Sequence, residues 1–244
     1  MLDIINIELY KIYKSKKYMI TFLLLVLALI FTFTLTYWLK ETRYTHIAYL
    51  YYIFAANNSL LFPVIITILF SSIIIDEFND NTIKILNSSR FERYEIFLGK
   101  FIATCICFFG LFIMLSFIYV IIVSILFKIN SWDIFILFPK NETIKRFLLI
   151  FIAEIMYLLC FATFISFISW SIKKKYVVIF IGLFIPIAFK LMPALPYNID
   201  QYIFIRTSTV YYKFTQDIFE IVPILKDISI NITTMLIFII FTIF

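Results

Sequence analysis

From Tyr18 to Leu39 the chain runs without one charged side chain, and comparable runs recur along its length. In hydrocarbon an unsatisfied backbone N–H or C=O costs several kcal/mol, so such a run is stable there only as a helix or as a strand of a closed barrel. About 20 apolar residues suffice for a helix to cross the hydrocarbon core. The runs are continuous rather than alternating apolar and polar, which excludes transmembrane strands. An all-α membrane protein follows. Soluble domains are about half apolar and a quarter charged, whereas this chain is 64% hydrophobic and 15% charged.

Six transmembrane helices are expected, at 18–39, 55–75, 101–127, 147–172, 176–192 and 228–244. Asn57-Asn58-Ser59 breaks the long uncharged stretch 44–75, which places the body of the second span at about 60–75 with an outer extension from Ala48. A cleavable leader is not expected, because the first apolar run is too long and lacks a small-residue cleavage site. Orientation follows from basic residues, which favour the cytoplasmic side. Lys11, Lys14, Lys16, Lys17, Lys84, Arg90, Arg93, Lys100, Lys173, Lys174 and Lys175 crowd into 1–17, 76–100 and 173–175. Those segments are therefore cytoplasmic, and so are both termini. Residues 1–17 read as an interfacial elbow helix: Leu2, Ile5, Leu9 and Ile12 recur at three- and four-residue steps. That stripe is expected to face acyl chains while the lysines meet anionic headgroups. The outer connector 190–227 holds Pro193, Pro196 and Pro223 among many aromatics, a composition suited to re-entrant or interfacial pieces.

Several chemistries are excluded. No GxxxxGK[ST] or GxGxxG occurs and the chain has three glycines, so it holds no P-loop of its own. The lysines and arginines lie between apolar spans, a topology signal and not a nucleic-acid face. Cys105 and Cys107 sit about 200° apart around a helix and cannot share a metal. One histidine, His46, leaves no acid–base or metal cluster, and it falls on the opposite side of the bilayer from the carboxylate pair Asp76-Glu77. An intramembrane enzyme is thereby disfavoured. Glu154 is the one acid well inside a span; it belongs on a substrate path, at a dimer interface or in a structural hydrogen bond.

The connector Asp76–Lys100 concentrates nine charges between two apolar runs. Asp76 and Glu77 end the second span where their charge can be hydrated. Asp80 or Asn81 caps a short helix, Thr82–Leu86, whose Ile83, Ile85 and Leu86 are apolar. Asn87-Ser88-Ser89 breaks it, and Ser89-x-x-Glu92 fits a capping box that starts a helix running into the third span. A half-apolar helix exposed at a cytoplasmic turn suggests a docking surface.

Two motifs in this order resemble the membrane subunit of ABC-2-type ABC transporters, the small six-span bacterial exporters of bacteriocin-immunity and phenol-soluble-modulin type. The first is an acid followed by lysines before the first span: Glu8-Leu9-Tyr10-Lys11, then Lys14, Lys16 and Lys17. The second reads Glu77, Asn81-Thr82, Ile83–Leu86, Ser88-Ser89-Arg90 and Gly99-Lys100, with Asn81 standing for the family's glycine and serine for its proline. The resemblance implies a type V exporter-like permease fold with no cofactor or catalytic site in this chain. It implies a separate cytoplasmic ABC ATPase, in two copies, that binds ATP and Mg. That ATPase would grip a coupling helix through Glu77, Thr82, Ile83, Lys84, Ile85, Leu86, Arg90 and Arg93. It also implies a second permease, either another copy of this chain or a paralogue.

Few intramembrane charges and 31 phenylalanines suit an amphipathic or lipophilic cargo better than a sugar or ion. Export of amphipathic peptides is the expected activity. Antimicrobial-peptide immunity, or lipid or drug efflux, shares the same topology. Usage rich in Ile, Phe, Asn and Lys points to the plasma membrane of a Gram-positive bacterium.

Overall fold

A computed structural model describes residues 2–38, 57, 61–79, 92–126, 140–191, 204 and 221–243. Among these the chain is helical, with no strand. Seven helices follow in order: α1 (Leu2–Lys14), α2 (Lys16–Trp38), α3 (Leu61–Asn79), α4 (Arg93–Leu126), α5 (Lys140–Ile172), α6 (Lys175–Leu191) and α7 (Ile221–Ile243). By length and composition, three stretches among the described residues are long and apolar enough to cross a membrane: Tyr94–Ile118, Leu148–Ile172 and Ile221–Ile243. Shorter apolar stretches lie in α2, α3 and α6.

The helices form because the apolar runs carry few breakers and satisfy their own polar groups. Hydroxyls inside them donate back to carbonyls one turn earlier, as Thr67 does to Pro63 (2.7 Å), Thr104 to Lys100 (2.7 Å) and Ser166 to Ala162 (2.8 Å). Pro63 and Pro223 fall in the first turns of α3 and α7, where the missing N–H has no helical partner to lose. Pro186 is interior to α6 and removes the bond to the carbonyl of Gly182.

Several helices outrun the apolar runs that locate them. α4 starts at Arg93 rather than 101, α5 at Lys140 rather than 147, α7 at Ile221 rather than 228, and α3 continues to Asn79. A helix need not stop at the hydrocarbon edge, since charged side chains on a further turn can be hydrated. The start of α4 also differs from the expected cap at Ser89. Glu92 lies outside the helix, and its backbone N–H donates to Glu95 Oε2 at 3.3 Å, which makes one half of such a box one turn later. Glu95 in the first turn also meets the positive end of the helix dipole.

α3 is the central element. Phe62, Ile65, Ile66, Leu69, Phe70, Ile73, Ile74 and Ile75 are all buried, and α2, α4, α5 and α6 pack around them. α6 lies antiparallel to α3: Lys175 meets Asp76 at one end, and Gly182 sits against Thr67 further along. α5 and α7 run parallel at a constant register. Cys160 Sγ lies 3.1 Å from Thr234 Oγ1, and the rings of Phe164 and Phe238 are 5.2 Å apart. Phe204, from the connector before α7, packs on both rings (5.8 and 6.3 Å). Phe238 lies 17 residues into α7, about 25 Å along it at 1.5 Å per residue. Phe204 is therefore set deep against α5 and α7.

α1 differs from the expected lipid-facing helix. Ile12 is buried, and Ile5 and Leu9 pack against the same core, while only Leu2 of that stripe is exposed. The stripe meets protein because Ile4 and Glu8 share its face and both contact α4. Ser15 ends the helix: its N–H and hydroxyl both donate to the Ile12 carbonyl (3.1 and 2.7 Å), and α2 starts at the next residue.

Candidate functional site

The connector 76–100 is described at its two ends. Thr82, Ile83, Lys84, Ile85, Leu86 and Arg90, with the cap candidates and Ser89, lie outside the described residues. Glu77 is in the last turn of α3, and Arg93 is the first residue of α4.

Each end is held by an ion pair to a helix distant in sequence. Where the chain leaves α3, Asp76 accepts from Lys175 Nζ through both oxygens, at 3.0 and 3.2 Å. Both side chains are about one-third exposed or less (28% and 33%), so the pair contributes about 1 kcal/mol at most. Where the chain enters the apolar part of α4, Lys100 Nζ lies 3.1 Å from Glu8 Oε1 of α1, with side chains 1% and 3% exposed. Lys11 reaches the same oxygen at 2.8 Å from a half-exposed position. Removing one partner of a buried pair strands a charge and costs about 3–5 kcal/mol. Breaking the Glu8–Lys100 contact from one side is therefore far costlier than breaking Asp76–Lys175, because it strands a buried charge.

Shape reinforces the charge. Gly99 precedes Lys100, and a Cβ there would stand 2.6 Å from Ile4 Cγ2, so α1 lies directly on the α4 backbone. Trp170, near the end of α5, touches both legs of the connector: its ring is 5.0 Å from Phe78 in α3 and 5.6 Å from Phe97 in α4. Lys173 adopts a left-handed backbone (φ 54°) in the turn after α5, and its Nζ stands 5.0 Å from the Phe78 ring. α1, α3, α4, α5 and α6 thus converge around the two legs. Trp170, Phe78 and Phe97 were not singled out from sequence. The signal was a tryptophan three residues before a triple lysine, a pattern typical of a membrane interface.

Glu154 lies elsewhere, buried in α5. Tyr157 follows one turn later and is also buried. The 74-residue register of α5 and α7 sets Asn231, buried as well, level with Tyr157. With Cys160 and Thr234 these residues form a polar seam within the bundle. Among the described residues no cluster of three His, Cys, Asp or Glu side chains is placed to hold a metal. The two ends of the connector are thus tied to neighbouring helices, α3 to α6 through Asp76–Lys175 and α4 to α1 through Glu8–Lys100.

The family profile described as ABC-2 family transporter protein matches residues 4–190, from the first turn of α1 to the end of α6. Comparison with curated proteins yields no match.

Proposed function

The chain belongs to the ABC-2 family of transporter membrane proteins, and from that premise we propose that it is the permease subunit of an ATP-driven exporter. An ABC ATPase docks on the cytoplasmic connector 76–100, and its closure moves the two legs of that connector. One observation carries this reading: both legs are fixed to other helices, by Glu8–Lys100 and Asp76–Lys175, with Trp170 between them. A solvated loop has no need of a buried ion pair at its exit. The docking residues are Glu77, Thr82, Ile83, Lys84, Ile85, Leu86, Arg90 and Arg93, on the cytoplasmic face of the plasma membrane, with both termini on that side. Two copies of the chain pair with two ATPases, and ATP and Mg are held by the ATPases.

The cargo is an amphipathic or hydrophobic peptide, moved from the inner leaflet outward. The low charge of the spans supports this. Glu154, in the polar seam of α5 and α7, adjusts that step, and its isosteric variant Glu154→Gln lowers peptide-stimulated hydrolysis while the fold is kept.

The test is reconstitution of the permease with its ATPase in vesicles. ATP-dependent movement of an amphipathic helical peptide is the expected result. Movement of labelled lipid but no peptide would overturn the cargo, and failure of any ATPase to co-purify would overturn the coupling. Replacing Ile83 and Leu86 by aspartate is expected to abolish co-purification while the permease still inserts.

A further inference from the structure

With the first stripe of α1 taken up by protein, a second face is left outward. Ile7, Tyr10 and Tyr13 recur at three-residue steps, and the two tyrosines are 59% and 70% exposed. Lys14 Nζ lies 4.6 Å over the Tyr10 ring, and the Tyr13 ring leans on Tyr18 at 5.7 Å. Two tyrosines beside a lysine suit the headgroup level of a bilayer, where a ring has one apolar and one wet end.

Among the described residues the charge at this end of the molecule is net positive, with Asp3 on α1 and Glu92 before α4 as its exposed acids. Contacts through Glu8, Lys100 and Trp170 place α1, the turn after α5 and both connector legs at the same end. Glu8 is taken by Lys100 and Lys11, and Asp76 by Lys175. Lys14, Lys16, Lys173 and Lys174 are all exposed there. Basic side chains next to a membrane gain from anionic lipid, each about fivefold in binding.

We propose that the outward face of α1, formed by Ile7, Tyr10, Tyr13, Lys14 and Lys16, is a binding surface for the headgroups of anionic phospholipids. The tyrosine rings and Ile7 enter the headgroup boundary, and the lysines hold the phosphate. The inner face of the same helix is bound to α4 through Glu8 and Lys100. Lipid charge therefore acts on the helix that holds the exit of the connector, and anionic lipid steadies it. This surface does not depend on the cargo or on an ATPase.

The test is native mass spectrometry of the full-length permease in detergent with phosphatidylglycerol or phosphatidylcholine of the same chain length. Wild type is expected to retain phosphatidylglycerol preferentially. The Lys14→Gln/Lys16→Gln variant loses about 25-fold of that preference, and Tyr10→Ser/Tyr13→Ser lowers retention of both lipids. Lys145→Gln, an exposed lysine near the start of α5, leaves the preference unchanged. Circular dichroism and a single size-exclusion peak verify that each variant is folded. Equal retention of the two lipids by wild type overturns the proposal. So does a preference untouched in folded Lys14→Gln/Lys16→Gln.

Discussion

Glu8 carries two lysines on one oxygen, and this makes its loss different from theirs. Glu8→Leu takes one carboxylate from two lysines at once, Lys100 at 1% exposure among them, whereas Lys100→Met leaves Glu8 still paired with Lys11. Glu8→Leu is therefore expected to cost about 3–5 kcal/mol and Lys100→Met distinctly less. The double variant Glu8→Leu/Lys100→Met should recover most of the loss, since an apolar pair of similar volume is often neutral or better in such a site. Thermal unfolding of the purified permease in one detergent checks the order of the three. Gly99 belongs to the same contact. Ile4 is buried and β-branched, with a stiff side chain, so Gly99→Val should lift α1 off α4, and adding Ile4→Ala should restore part of the stability. Asp76→Asn, at a part-exposed pair, should shift unfolding little.

At the scale of elements, sequence was informative where a single property decides. Apolar runs such as 18–39, or 147–172 with Glu154 as its one charge, locate helices because length and apolarity suffice in hydrocarbon. Their ends were less legible, since Ser89-x-x-Glu92 and Glu92-x-x-Glu95 both fit a helix start and lie one turn apart. α1 was half legible. Its periodicity identified an amphipathic helix, but a stripe of Ile5, Leu9 and Ile12 is equally suited to acyl chains or to a neighbouring helix. Glu8 distinguishes the two, and its partner Lys100 stands 92 residues away in sequence, beyond any local pattern. Trp170 was hidden for the same reason, because its contacts Phe78 and Phe97 belong to two other helices. The tight crossing of α3 and α6 depends on a missing side chain. A Cβ on Gly182 would collide with Thr67, so Gly182→Leu should separate the two helices. Accessibility of a cysteine placed at position 67 to a thiol reagent is then expected to rise severalfold, and no change would place the packing elsewhere.

For the whole molecule, the helices around the connector and the seam between α5 and α7 form two regions joined by α5 itself. Trp170 grips the connector at one end of that helix, while Glu154 and Tyr157 lie further along it, level with α7. A push on the connector can thus reach the α5–α7 seam through one rigid rod, the kind of shear between packed helices that switches such bundles. Among the described residues α7 leaves much of its apolar surface outward, including Val222, Leu225, Leu236, Ile240 and Phe241, a surface suited to acyl chains. The central claim is that the connector drives the bundle through its bound legs. It is tested most directly by the ratio of peptide exported to ATP hydrolysed in vesicles holding permease and ATPase, compared between wild type, Lys100→Met and Glu8→Gln. The account predicts that both variants, folded and still binding the ATPase, hydrolyse ATP while the ratio falls severalfold, further for Glu8→Gln than for Lys100→Met. An unchanged ratio in folded, ATPase-bound variants would contradict it.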